Sequence, residues 1–403
     1  MKVAIAIDSF KGSLSSYEAA QAVALGIQEA VGELAECVII PIADGGEGTL
    51  DALEPALECE RLTVIAQDPL NRAIKADYLS VSDSHNIAVE SRKIAVIEMA
   101  QASGIDLLTS QELNPLKTSS YGTGQLILDA LNQGCQKLFI AIGGSATNDA
   151  GMGILKALGV RFLDAQGNEL EGKGEDLVKI DRIDPIHLNQ NLLNKDLQIL
   201  VACDVDNPLY GKNGAACVFA PQKCTPTMSQ AAVAKIVEEL DQGLRNFAIK
   251  VSEAFPIDEA AISQIPGAGA AGGVGAALAG ILQAKLIPGI EFVLDCVAAE
   301  TQIQQADWVV TGEGQLDSQT TRGKVPAGVA AIAKKYNVPV IAFSGSIVGD
   351  PQTLHEIGIE AYFSILNRPI SLEAAMNKDN AIAMLKQSSR EVFRLITYLN
   401  HEK

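Results

Sequence analysis

The chain has 403 residues, 48% of them hydrophobic and 20% charged, which is long enough for two domains with cores of their own and too apolar for a disordered segment. Its 31 lysines and arginines face 49 aspartates and glutamates, a formal net charge of −18. That sign repels nucleic acid and anionic lipid and excludes electrostatic binding to either. An anionic small molecule would need lysines, backbone amides or a divalent cation to receive it.

The first apolar run, Val3–Ile7, reads as a strand and carries none of the basic, apolar and cleavage regions of a signal peptide. The longest uncharged apolar run, 266–282, is mostly glycine and alanine and too short to span a bilayer. Seven scattered cysteines contain no C-x-x-C pair, and the four histidines form no ligand-spaced cluster, as expected of thiols in a reducing compartment. A cytoplasmic protein is therefore expected.

Ser15 to Glu18 spell a capping box, so a helix should begin near Ser16 and bury Ala20, Val23, Ala24 and Ile27. The strand Cys37–Ile42 follows, then Asp44 to Glu47 and a helix over 48–57. From 60 to 100, "RLTVIA", "IKADYLSVS", "NIAVES" and "IAVIEMA" lack intervening helices and read as hairpin-connected strands. Parallel α/β signals return over 120–163, where the strand Leu138–Ile142 runs into "GGSATNDAG" and then a helix carrying Ile154, Leu155 and Leu158. "LQILVACD" is the next strand, and an amphipathic helix spans 226–250 with Ile236, Leu240, Leu244 and Phe247 on one face. The last third holds strands at "DWVVT" and "VPVIAFS" and a terminal helix. The expected architecture is α/β with two α/β domains. A Rossmann-like one is built from both chain ends, 1–65 and 285–403, and the second, 66–284, is inserted between them.

Five polar loops, most with glycine, follow predicted strands: "DSFKGS" (8–13), "ADGGEG" (43–48), "GGSATNDAG" (143–151), "CDVDNPL" (203–209) and "TGEGQLDS" (311–318). Ligands of open α/β sheets bind at the carboxyl ends of strands, where backbone amides at helix starts cradle anionic oxygens. Acidic residues there would repel a phosphate unless a divalent metal lies between, or unless one of them is a base. Each loop also has a plainer reading. Asp44 with Glu47 fits a capping box, Asn148 or Asp149 a helix cap, Asp204 and Asp206 a turn before Asn207-Pro208, and Lys11 a solvated charge. Five together at one end of the sheet favour a ligand site. "GAGAAG" (267–272) matches G-x-G-x-x-G but follows no strand, so close packing explains it better. The segment 318–325 has Ser318 and Val325 where a P-loop needs glycine and a hydroxyl residue.

Seven blocks in order, "AIDSFKGSLSS", "PIADGGEGTLDAL", "YGTGQLILDAL", "IGGSATNDAGMGILKALG", "ACDVDNPLYGKNGAACVFAPQK", "PGAGAAGGVGAAL" and "VTGEGQLDSQTTRGKVPAGVA", make the chain resemble the bacterial type I glycerate kinase family along nearly its whole length. The resemblance implies ATP-dependent phosphorylation of D-glycerate with Mg²⁺, on a two-domain α/β fold with the active site in the cleft between domains. It favours 2-phosphoglycerate over 3-phosphoglycerate as product. The implied partners are D-glycerate and ATP, without nucleic acid or membrane, and a homodimer is left open. The sequence departs from the family pattern at Cys224, where glycine is usual after "FAPQK", and in the turn within "TVIAQDPLNRAIKA".

Set beside that resemblance, the loops take roles. Asp204 is the favoured base, with Asp44 and Lys11 the other catalytic candidates. Lys11 and Ser13 suit the glycerate carboxylate or a phosphate. Gly45, Gly46, Gly143, Gly144, Ser145, Asn148 and Asp149 are expected to bind substrate and phosphate, and Glu313 and Asp317 the metal. Two other classes remain open, a non-catalytic nucleotide-binding regulator and an NAD-dependent dehydrogenase using 267–272. Formation of ADP only in the presence of D-glycerate would separate all three.

Overall fold

A computed structural model of the chain describes residues 1–43, 46, 48–82, 93–317, 320, 324–349 and 352–401. They contain thirteen strands: β1 (Lys2–Ile5), β2 (Glu36–Ile39), β3 (Cys59–Gln67), β4 (Ala73–Ser82), β5 (Lys93–Glu98), β6 (Lys137–Ala141), β7 (Arg161–Leu163), β8 (Arg182–Asp184), β9 (Gln198–Ala202), β10 (Lys285–Ile287), β11 (Trp308–Leu316), β12 (Val340–Ile347) and β13 (Ala361–Ser364). The chain forms two compact units, one made of Met1–Asp44, Asp51–Leu57 and Pro288–Lys403, the other of Gly45–Leu50 and Glu58–Ile287. Among the described residues no helix is long and apolar enough to cross a membrane.

The first unit has a five-stranded sheet in the order β13-β12-β11-β1-β2, parallel throughout. The chain moves from β1 to β2 on one side and from β11 through β12 to β13 on the other, so strand order reverses between β1 and β11. That reversal opens a crevice at the carboxyl ends. Helix Ser16–Val31 begins at the expected box, with Ser15 Oγ accepting from Glu18 N at 3.2 Å and Glu18 Oε2 accepting from Ser15 N at 3.0 Å. Its Ala20, Val23 and Ile27 join Val3, Ile5, Val310 and Phe343 of the sheet and Leu385 and Phe393 of the terminal helix Lys378–His401 in one core. The two helices touch at Gly26, where a Cβ would stand 2.1 Å from Ser389 Oγ and 2.3 Å from the Lys386 carbonyl oxygen.

The second unit carries a six-stranded sheet, β10-β9-β6-β5-β4-β3. Strands β10, β9, β6 and β5 are parallel, and β4 and β3 add an antiparallel hairpin. The sequence 86–91 lies outside the described residues. Strand β3 pairs with β4 from Cys59↔Val81 to Gln67↔Ala73, and the chain from Glu58 to Ile287 lies in this unit together with Gly45–Leu50. The turn between them is organised by Asp68, whose Oδ1 accepts from Leu70 N and Arg72 N at 2.8 and 2.9 Å. A long helix occupies Gln230–Ala254, four residues later than its apolar stripe alone indicates, because Ser229 Oγ caps it by accepting from Ala232 N.

Candidate active site

In the second unit the parallel strands β6 and β9 are in register at Ala141↔Ala202. Two residues beyond these partners lie Gly143 and Asp204, so the glycine loop and the predicted base leave neighbouring strands at the same level. Gly143, Gly144 and Asp204 are exposed, whereas Ser145 to Gly151 are buried. The loop is held from inside. Both oxygens of Asp149, which is wholly buried, are engaged: Oδ2 accepts from Ser120 N (2.8 Å), Ser120 Oγ (2.7 Å) and Gly153 N (3.1 Å), and Oδ1 from Gly151 N (3.1 Å). Burial raises its pKa and these donors oppose the rise. The Asp149 carboxylate thus ties the loop to the start of helix Met152–Ala157 through the Gly151 and Gly153 N–H groups.

Lys223 is the residue that sequence reasoning left without a role. It is 2% exposed, and its ammonium donates to Ser145 Oγ at 2.8 Å and to the Thr147 carbonyl oxygen at 2.6 Å. Desolvation pulls its pKa down to about 7, against the pull of the Asp149 charge. Beside it, Asn148 Oδ1 and Nδ2 and Thr147 Oγ1 are buried with no hydrogen-bond partner. Buried polar atoms are rarely left unmatched, and an amide and a hydroxyl next to a buried ammonium suit the oxygens of an anion. The lysine stands at the end of the block "APQK", but its burial under the glycine loop has no sequence signature.

The segment 267–273 packs against this loop and not around a dinucleotide. Ala271, Gly272 and Gly273 are all left-handed, and Gly272 (φ +74) has room only for hydrogen: a Cβ would lie 2.1 Å from the Thr147 carbonyl oxygen. Its carbonyl accepts from Ala150 N at 3.0 Å. Cys224, where glycine is usual, has φ −93 and is buried with Sγ 3.4 Å from the Ala220 carbonyl oxygen, so the backbone there does not require glycine.

In the first unit a 570 Å³ pocket opens at the carboxyl ends of β1, β11, β12 and β13. Lys11, Ser13, Glu313 and Asp317 all line it, together with Asp8 and Lys324. Ser13 Oγ is buried and unmatched. Glu313 stands within β11, because that strand runs on to Leu316 through pairs such as Glu313↔Ser344 and Gln315↔Ser346; the expected loop 311–318 is mostly strand. Its Oε1 accepts from Thr320 Oγ1 at 2.5 Å and its Oε2 lies 3.7 Å from Lys324 Nζ. Burial raises the Glu313 pKa, Thr320 and Lys324 lower it, and the Asp317 charge adds to the rise.

Asp44 and Gly45 lie outside the described residues; Gly46 accepts from Thr49 Oγ1 at 2.7 Å through its carbonyl. No three His, Cys, Asp or Glu side chains among the described residues group as a metal cage. Mg²⁺ bound with a nucleotide needs only one or two carboxylates, with phosphate and water supplying the rest, and Glu313 with Asp317 meets that requirement.

Parallel α/β units with polar loops at the carboxyl ends of their strands, one loop gathered round a buried ammonium, are the architecture of an enzyme that handles a small anionic molecule. The comparisons with known proteins identify which. A family model described as the glycerate kinase family matches residues 3–397. A glycerate kinase of Halalkalibacterium halodurans is 44% identical over 390 residues, 97% of this chain and 97% of that one. A glycerate 2-kinase of Escherichia coli is 43% identical over 375 residues, 93% of each chain. The crystal structure of a putative glycerate kinase 2 from Salmonella typhimurium LT2 superposes with a TM-score of 0.82 at 40% identity, covering 100% of this chain and 99% of that one. The chain belongs to the glycerate kinase family and is a kinase.

Proposed function

We propose that the protein transfers the γ-phosphoryl group of ATP to D-glycerate, releasing ADP and 2-phosphoglycerate, with Mg²⁺. The observation that carries the reading is the loop 143–149, where an unmatched amide and hydroxyl lie beside the buried Lys223 ammonium at the end of a parallel strand. The position of the phosphoryl group on the product follows the relative from Escherichia coli, which is called a glycerate 2-kinase.

Phosphoryl transfer asks a protein for positioning and charge more than for covalent chemistry. In this reading the amides of Gly143 to Asn148, with Ser145, receive nucleotide phosphate oxygens, and Lys223 and Asp149 hold the loop in shape. Lys11 and Ser13 face an anionic group of a substrate in the first unit, and Gly45 and Gly46 add backbone donors. Glu313 and Asp317 would hold Mg²⁺, which when bound supplies positive charge to phosphate oxygens. Asp204, exposed at the end of β9, accepts the proton of the attacking hydroxyl; Asp44 is the alternative base. The test is incubation with ATP, Mg²⁺ and D-glycerate, following ADP and taking a phosphorus NMR spectrum of the product. ADP release that ignores D-glycerate would overturn the reading, and a 3-phosphoglycerate signal would correct the position.

A further inference from the structure

In the second unit Glu98 ends strand β5, in register with Ala141 of β6, which in turn pairs with Ala202 of β9. Its carboxylate therefore stands at the end of the sheet from which the glycine loop and Asp204 leave. The residue is 2% exposed, and a carboxylate so placed is costly unless its oxygens are matched. Both are engaged: Oε1 accepts from Leu50 N at 2.7 Å and Oε2 from Gln101 Nε2 at 3.3 Å. Leu50 closes the short segment Gly45–Leu50, which belongs to this unit while the chain on either side of it belongs to the other. Glycines make the backbone of that segment costly to order, and Gly48 is left-handed (φ +84) with nothing packed where a Cβ would stand. The bond from Thr49 Oγ1 to the Gly46 carbonyl oxygen is local, whereas the bond to Glu98 ties the segment to the sheet. The residues that follow Glu98 bond in turn to the glycine loop: the Ser103 carbonyl oxygen accepts from Ala146 N at 2.9 Å, and Ile105 N donates to the Gly144 carbonyl oxygen at 2.8 Å. One strand end and the chain just after it hold both loops.

We infer that Glu98 is a positioning residue for phosphoryl transfer: it fixes the segment Gly46–Leu50 to the carboxyl end of β5, one strand away from the loop proposed to receive phosphate. The inference rests on the phosphoryl-transfer reading above, in which Gly46 offers a backbone donor, and adds what holds that donor in place. Such a reaction depends on placement, and a donor displaced by about an ångström loses much of its effect. In this assignment Glu98 acts through the segment and not on a substrate.

The test uses the whole protein and two conservative variants. Glu98→Asp keeps the charge but falls one methylene short of Leu50 N; Glu98→Gln keeps the reach and a carbonyl oxygen but loses the charge. Each is compared with the parent by turnover with ATP, Mg²⁺ and D-glycerate, by calorimetric ADP binding and by amide hydrogen exchange. In Glu98→Asp the expected result is faster exchange in the peptide covering 46–50 and a kcat lowered about tenfold to a hundredfold. The loop 143–148 keeps its anchors Asp149 and Lys223, so the ADP Kd is expected to be unchanged. Glu98→Gln is expected to retain most of the parental kcat. The reverse order, Glu98→Gln impaired and Glu98→Asp active, would make the charge and not the reach matter and would overturn the inference. Faster exchange with parental kcat in Glu98→Asp would leave Glu98 a structural anchor alone and overturn it equally. If the parent forms no ADP with D-glycerate, the kinase reading falls by itself; exchange over 46–50 then decides separately whether Glu98 holds the segment, faster in Glu98→Asp if it does and parental if it does not.

Discussion

At the scale of single residues, Asp204 and Lys223 carry the sharpest expectations. Asp204 is exposed at the end of a rigid strand, so Asp204→Asn keeps its shape and leaves the core untouched. If it is the base, kcat falls by roughly 10²–10⁴ with the melting temperature unchanged; a variant retaining more than about a tenth of parental kcat moves the role to Asp44. For Lys223 the pH dependence has a definite sign. Its pKa is pulled from 10.5 to about 7, so between those values the unfolded chain holds a proton that the folded chain has lost, and stability rises with pH across that window. The charged form that helps an anion bind disappears over the same range, so kcat/KM for ATP should fall as pH rises through about 7. Lys223→Met is expected to flatten both trends, read as urea midpoints at several pH values and as a pH–rate profile. The place of Asp204 just past the end of β9 was legible from the sequence, because an apolar run meeting an acidic residue is a local pattern. Lys223 was not, because its meaning comes from a loop some 78 residues away in sequence.

Elements were read well where their signals are local. The capping box at Ser15 and Glu18, the hairpin strands after residue 58 and the core-facing Ile154, Leu155 and Leu158 all follow from spacing along a few residues. Glycine-rich stretches were read less well. "TGEGQL" has the composition of a loop yet continues β11, since pairing with β12 on one side supplies the order that its own propensity lacks. Gly26 shows the converse, a glycine whose role exists only in the packed pair of helices. Adding one methyl there drives a Cβ to 2.1 Å from Ser389 Oγ and 2.3 Å from backbone, so Gly26→Ala should destabilise by about 1–3 kcal/mol despite its better helix propensity. Chemical denaturation against an exposed control, Gln28→Ala on the same helix, measures it.

For the whole molecule, the net charge of −18 sets the problem that the binding loops answer. Under the proposed reaction an acidic protein would take up two anionic substrates and would have to gather positive charge locally; the buried Lys223 and the Lys11 and Lys324 of the pocket are the side chains proposed for that task. In the proposed assignment Glu313 and Asp317 would hold a divalent cation. D-Glycerate-dependent ADP formation is therefore expected to stop in excess EDTA and to return with added Mg²⁺. Undiminished turnover in EDTA would remove the metal from the reaction and leave those two carboxylates with a structural role. Composition revealed the need for such positive sites and the loop 8–13 offered Lys11; the placement of Lys223 and Lys324 comes from the fold.

Strand β1, formed by residues 2–5, has its partner β11 at residues 308–316, with Val3 opposite Trp308. On a ribosome, the amino-terminal strand therefore waits through the synthesis of some three hundred residues before the neighbour on that side exists. The second unit, made of Gly45–Leu50 and Glu58–Ile287, can complete its own sheet during that interval, because none of its strand pairings calls on later chain. The opening segment "KVAIAID" meanwhile remains an apolar edge open to nascent-chain chaperones or to mispairing. Slowing translation ahead of codon 308 should lengthen that exposure and lower the yield of native enzyme, while codon changes after the final strand should not.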